Sequence, residues 1–184
     1  MPLSELVSTG KKLSSKLSDF YLMDSLSVEE NIMLPWVYIN NCRVNKMTVR
    51  LMEKQDKDFV MSIDKHVDDT GYDRRVYTKT GYIMWENDIP VGMMHYSVLW
   101  DNLPFLNFIF VDEKYRNKGF ASQALAFWEN EMKQQSYKMT LISTQADEEA
   151  QHLYRKLGYI DCGGLVFSHT PFDQPMELFF RKVL

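Results

Sequence analysis

The stretch Phe105–Leu125, FLNFIFVDEKYRNKGFASQAL, restricts the folds open to this chain more than any other. It opens with an apolar run, Phe105–Val111, interrupted only by Asn107, which predicts a buried strand. After Gly119 the apolar residues fall at Ala121, Ala124, Leu125, Trp128 and Met132, the spacing of one helical face. Between strand and helix lies a short loop carrying Lys114, Arg116 and Lys118. A helix start leaves its first N–H groups unpaired and bears partial positive charge. Gly119 and Ala121 put no bulky side chain in the way, so a phosphate can approach the backbone there. A solvated strand-to-helix connection has the same ingredients, so the spacing has to decide between the two.

The spacing Val111-x-x-x-x-Arg116-x-x-Gly119-x-Ala121 resembles the acetyl-CoA signature of the GNAT superfamily of N-acetyltransferases, V-x-x-x-x-(R/Q)-x-x-G-x-(G/A). A second segment, Ala150-x-x-Leu153-Tyr154-Arg155-Lys156-Leu157-Gly158-Tyr159, resembles that family at the expected distance downstream. The resemblance covers roughly residues 47–184 and leaves 1–46 outside it. It implies an α/β (α+β) acyl-CoA N-acyltransferase fold, a mixed and mostly antiparallel sheet of six or seven strands flanked by helices. It divides the chain into an N-terminal helical extension, 1–46, and an acetyltransferase domain, 47–184.

The composition is that of an ordinary globular chain and argues against several other classes. The chain has 184 residues, 45% hydrophobic and 25% charged, enough to bury a substantial core. A net charge of −4 disfavours wholesale nucleic-acid binding. No apolar run approaches the ~20 residues a membrane helix needs, and the N-terminus has no signal-peptide hydrophobic region. Cys42 and Cys162, without a CxxC pair, point to a reducing, cytoplasmic setting and argue against structural zinc; no metal is expected.

Within 1–46, residues 11–22 have helical spacing and Ser27 has the form of a helix cap, with Pro35 ending the pattern. The segment Asp19–Pro35 resembles the region after the Q-loop of ABC-transporter ATPases. The GxxxxGK[ST] phosphate-binding motif is absent, so no ATPase activity is expected. Downstream, Met47–Met52 reads as a strand and Lys54–Val67 as a helix. Asp68–Arg75 is a polar connection or the start of another short helix. Tyr82–Trp85 and Val91–Leu99 form a hairpin about Asn87-Asp88. Met139–Ser143 is a strand, and Thr144 or Asp147 is placed to cap the next helix, which Gly158 closes. Tyr159–Phe167 and Met176–Val183 complete the sheet, with a bulge or bend at Gly163-Gly164.

The resemblance also implies a reaction and its residues. Acetyl-CoA would be co-substrate, its pantetheine arm pairing with the strand edge at Ile109, Phe110 and Val111. An N–H at that strand end would face the thioester carbonyl. Arg116, Asn117, Lys118, Gly119, Phe120, Ala121 and Ser122 would hold the phosphates, chiefly through backbone N–H groups. Asp147 stands where the family often has an asparagine touching the cofactor, and an ionised aspartate cannot donate that hydrogen bond. Periodicity alone puts Tyr154 on the buried face of its helix; the resemblance makes it the acid that protonates the departing thiolate.

The general base is open. Some relatives carry a glutamate where this chain has Phe105, so Glu86, His95 and Asp101, with Asn107 or a water chain, are the substitutes. Trp85, Tyr96, Trp100 and Phe172 are candidates for an acceptor pocket. The expected function is acetyl transfer to a primary amine, on a small molecule or peptide, by direct attack in a ternary complex. The alternative is a non-catalytic acyl-CoA-binding sensor or scaffold. Residues 1–46 leave a homodimer contact open.

Overall fold

The computed structural model describes residues 47–171 and 174–184. The expectations placed on 1–46, including the ABC-transporter resemblance, and on Phe172 lie outside the described residues.

Seven strands form one sheet in the order β1-β2-β3-β4-β5-β7-β6. They are β1 (Met47–Leu51), β2 (Gly81–Glu86), β3 (Ile89–Leu99), β4 (Leu103–Val111), β5 (Met139–Gln145), β6 (Ile160–Leu165) and β7 (Glu177–Val183). Every neighbouring pair is antiparallel except β4 and β5. A parallel pair needs a crossover, and the helix predicted after Gly119 supplies it. The helices are α1 (Lys57–Ile63), α2 (Asp69–Thr78), α3 (Phe120–Gln134) and α4 (Ala150–Lys156). The mixed, mostly antiparallel sheet flanked by helices is the architecture the sequence implied.

Each face of the sheet has its own core. On one, Tyr82, Met84, Met94, Leu106, Ile142 and Phe180 pack against Ala124, Leu125, Trp128 and Met132 of α3 and Tyr154 of α4. On the other, Ile83 and Met93 pack with Val60 of α1 and Tyr72 of α2, with Phe108 and Phe110 at the margin. Period-two alternation along β2 and β3 feeds both layers, which is why their side chains are buried on both sides.

The local departures from expectation have identifiable causes. The helix expected over Lys54–Val67 is a 3-10 turn, Lys54–Asp56, followed by α1, and it ends at Asp64, whose backbone is extended (φ −86°, ψ 99°). Asp64 leaves the helix because its carboxylate turns inward, accepting from Arg75 Nη1 at 2.9 Å and from the His66 N–H at 3.0 Å. Of the two readings of Asp68–Arg75, the helix holds: the Asp68 side chain caps α2 by accepting from the Gly71 N–H at 2.7 Å. Neither Thr144 nor Asp147 caps α4. Its N-cap position is Glu149, with no side-chain cap. The Thr144 hydroxyl and the Gln145 N–H both donate to Glu148 instead. Gly158 (φ 86°) closes α4 as expected, and the β6 bulge falls at Cys162, where pairing skips from Asp161 to Gly163.

Candidate active site

β4 carries the central irregularity. It pairs with β3 along its length, but His95 faces Phe108 while Tyr96 faces Leu106, so Asn107 is an extra, unpaired residue. The bulge inverts the strand's alternation. Leu106 belongs to the α3 side, and after Asn107 it is Ile109 and Val111 that face α3 while Phe108 and Phe110 face α1 and α2. The one polar residue in an apolar run is therefore where the strand changes phase.

On its other edge β4 pairs with β5 only at Phe105↔Leu141 and Leu106↔Ile142. Beyond Leu106 that edge has no strand partner among the described residues. The Asp112 N–H donates to the Val91 carbonyl at 2.9 Å, which sets the phase of the antiparallel ladder. Phe108 and Phe110 then direct their N–H groups toward β3, and Ile109 and Val111 direct theirs to the open edge. An acyl chain with amide groups could pair with such an edge as a strand would.

The open edge leads directly into the basic loop. Asn117 (φ 61°) and Gly119 (φ 82°) are both left-handed and flank Lys118, an alternation that turns successive N–H groups toward one concavity. At Gly119 the requirement is conformational, since an added Cβ would meet nothing closer than Gln123 Nε2 at 3.8 Å. The first helical bond of α3 runs from the Gln123 N–H to the Gly119 carbonyl, 3.0 Å. That leaves the N–H groups of Phe120, Ala121 and Ser122 outside the ladder, and the first turn carries no acid to neutralise them. Phe120 is buried and fixes the helix start in the core. The basic side chains do less than their charge suggested. Arg116 folds back, its Nε donating to the Val111 carbonyl at 3.1 Å and its guanidinium 5.9 Å from the Phe110 ring. Lys118 Nζ sits 4.6 Å above the Tyr115 ring. Arg116 thus ties the loop to the strand end, and the backbone is left to meet an anion.

Tyr154 lies on the α3 side, 3% exposed, between the rings of Tyr159 and Phe180 at 6.1 and 5.8 Å. Its hydroxyl makes no hydrogen bond among the described residues. Burial, and then the Glu148 and Glu177 carboxylates, push its pKa up, so the phenol stays protonated. Asp147 is exposed in the turn before α4.

The base candidates are scattered. His95 is 8% exposed on the α1–α2 face, stacked on Phe108 at 5.6 Å. Its Nε2 lies 3.5 Å from Asp64 Oδ2, the oxygen already held by Arg75. Burial and then the Arg75 charge lower its pKa to about 4, with Asp64 opposing. The imidazole is neutral at pH 7, and Asp64 favours the tautomer that leaves Nδ1 as acceptor. For Asp64, burial acts upward, but the Arg75 and His66 hydrogen bonds outweigh it and hold the carboxyl below its ordinary value. Glu86, 7% exposed, ends β2 on the α3 side, with β3 between it and β4. Asp101 (φ 60°) is exposed in the β3–β4 turn at the opposite end of β4, about 20 Å of strand from Ile109. Of the three, the fold brings His95 nearest β4, on the neighbouring strand opposite Phe108, and leaves Asp101 at the far end of the hairpin. The sequence reading missed Asp64 and Arg75; the signal was a single carboxylate inside an otherwise ordinary helical stripe.

Among the acceptor-pocket candidates, Tyr96 is core, Trp85 lies under the Arg50 guanidinium at 4.7 Å, and Trp100 is an exposed hairpin tip. Among the described residues no helix is long and apolar enough to cross a membrane, and no cluster of three His, Cys, Asp or Glu could hold a metal.

The model of a family described as acetyltransferase (GNAT) matches residues 48–159. No curated protein matches the chain. Solved structures with a similar fold include an N-acetyltransferase from Staphylococcus aureus Mu50, with 20% identity and TM-score 0.63 over 75% of this chain and 98% of that one. The spermidine/spermine N-acetyltransferase SpeG from Vibrio cholerae has 13% identity and TM-score 0.65 over 77% and 95%. A Bacillus subtilis acetyltransferase in complex with CoA has 17% identity and TM-score 0.61 over 76% and 99%. At these identities the likeness speaks for the fold.

Proposed function

The chain belongs to the acetyltransferase (GNAT) family, and on that premise we propose that it is an acetyl-CoA-dependent N-acetyltransferase acting on a primary amine. The observation that carries the proposal is the β4 edge left unpaired beyond Leu106 among the described residues, followed after the 3-10 turn Glu113–Tyr115 by the start of α3. An edge with outward N–H groups suits a pantetheine arm with its two amides. The turn at Asn117 and Gly119, with the free N–H groups of Phe120–Ser122, suits a pyrophosphate. The B. subtilis relative is described as bound to CoA, which supports the assignment. We take residues 47–184 as the catalytic domain and 1–46 as an extension.

Bound there, acetyl-CoA would supply an acetyl group activated as a thioester. The residues' roles follow from the faces they occupy. The Ile109 N–H points into the open edge and is the donor for the carbonyl oxygen on which charge develops. His95 is on the α1–α2 face beside the bulge, neutral and oriented by Asp64. It takes the amine's proton through water, the weak basicity of a group near pKa 4 being offset by the attacking nitrogen's acidity once it bonds to carbon. Tyr154 is on the α3–α4 face and is kept protonated by its burial, so it is available to hydrogen-bond the leaving sulfur; its proton passes to the thiolate only as water returns one to the phenolate. Amine and base thus approach from one face and the thiol leaves on the other, as direct attack requires.

A second reading, a non-catalytic acyl-CoA sensor, is favoured by Phe105 in place of a carboxylate and by the low basicity of His95. Thiol release from acetyl-CoA, measured over polyamines, amino acids, aminoglycosides and short peptides, separates the two. Release with one amine class supports the enzyme. Tight binding with no release across the panel supports the sensor.

A further inference from the structure

Among the described residues, β5, β7 and β6 carry helices on one face only. α3 and α4 pack on Ile142, Leu178 and Phe180, whereas no residue of these three strands belongs to the core under α1 and α2. The registers show what lines the other face. Phe105 pairs with Leu141, Leu141 with Arg181, and Arg181 with Ile160, so the four side chains form a row across three strands and the start of the β4–β5 ladder. The Phe105 and Phe179 rings are 5.9 Å apart, which puts them on the same side, and Arg181, two residues after Phe179, points with them. His95 shares this side, because Ser97, two residues after it, pairs with Phe105.

Arg181 is half-buried. Its guanidinium makes no hydrogen bond and no ion pair among the described residues. The other cations on the sheet are matched, Arg50 by Asp56 and Lys182 by Glu129, as is Arg75 of α2 by Asp64. The nearest carboxylate on the same face of β7 is Glu177, four residues away, about 13 Å along the strand. A planar fork of five donors, partly withdrawn from water and unanswered, costs free energy unless a partner comes from outside.

We propose that Arg181 anchors a carboxylate of the acceptor, remote from the reacting amine; this rests on the acetyltransferase reading above. A lone guanidinium matches a carboxylate through two parallel N–H bonds, and its row supplies only Leu141, Ile160 and Phe105, with no second cation for a doubly charged phosphate. The spacing narrows the class further. β7 lies two strands from β4, about 10 Å, and the Arg181 row lies about 10 Å upstream of Ile109, since the bulge at Asn107 makes Phe105 to Ile109 only three register steps of β3, Ser97 to Met94. Even after the arginine side chain spans part of that diagonal, an α-amino acid is too short. An extended peptide covers ~3.3–3.6 Å per residue, so the acceptor is a two- or three-residue peptide or equivalent, with a free carboxylate at its far end. Phe105, Leu141 and Phe179 form the apolar floor between.

The test uses triglycine and its C-terminal amide, each measured for kcat/KM with acetyl-CoA and for equilibrium Kd with CoA present. The free acid should be preferred roughly ten- to hundredfold in both, the size of one charge-assisted contact. Arg181→Gln should erase the preference and Arg181→Lys retain part of it. Equal values for acid and amide, a preference that survives Arg181→Gln, or no binding of either peptide would overturn the assignment. Thiol release with equal values sinks Arg181 alone. A Kd preference lost in Arg181→Gln, with no release from either peptide, sustains Arg181 and sinks the catalytic reading.

Discussion

Lowering the pH from about 6.5 toward 4 should cost this fold stability through His95. The imidazole is 8% exposed between β3 and the α1–α2 layer. Burial, then the Arg75 charge, bring its pKa from 6.5 down to about 4, while Asp64 pulls the other way. In the unfolded chain it titrates at its ordinary value. Between the two values the unfolded chain holds a proton that the folded one does not. The contribution is therefore complete above 6.5 and is lost as the pH falls toward 4. The slope cannot exceed about 1.4 kcal/mol per pH unit, so the loss over the window is on the order of 3 kcal/mol. Urea unfolding at about pH 6.5, 5.5 and 4.5, in the natural chain and in His95→Gln, isolates the effect as the difference between the two. Arg75→Met removes the opposing cation, so the His95 titration followed by NMR should move upward in that variant. Parallel pH trends in the natural chain and His95→Gln would refute the argument, as would a His95 that titrates at its ordinary value.

Other substitutions probe separate parts of the account. Tyr154→Phe should lower kcat by about a hundredfold while leaving the acetyl-CoA Kd unchanged; undiminished turnover would remove Tyr154 as the acid. Gly119→Ala forces a Cβ into left-handed backbone, costing about 1–2 kcal/mol, and should weaken CoA binding by about tenfold with secondary structure intact, as read by titration and circular dichroism. Asp56 is 5% exposed, with its carboxylate held at 2.7 Å by both Arg50 nitrogens and at 2.8 Å by the Glu53 N–H. Asp56→Ala should therefore destabilise by about 3 kcal/mol in urea unfolding, with no change in CoA affinity.

The central strand, loop and helix were legible because their determinants are local: an apolar run, a glycine, and a 3.6-residue stripe ending at Met132. The Asn87-Asp88 hairpin was legible for the same reason, both residues having positive φ as a tight turn demands. What escaped depends on distant partners. Nothing near Asp64 announces that Arg75 and His95 will draw its carboxylate inward and end α1. Asn107 stood out as a polar residue, but its role as a bulge emerges only from the pairing of β4 with β3. Thr144 and Asp147 looked like caps because capping residues are common before helices; a competing acceptor, Glu148, took the Thr144 hydroxyl. Asp101 was grouped with the base candidates by chemistry, and only the direction of β4 reveals that it sits at the wrong end.

The most direct test of the proposed site is a ¹H–¹⁵N NMR titration with acetyl-CoA. The account predicts that the amide signals of Ile109 and Val111, whose N–H groups face the unpaired edge, shift together with those of Asn117–Ser122, while Phe108 and Phe110, bonded into β3, move less. Shifts confined to another surface, or no binding at all, would contradict it.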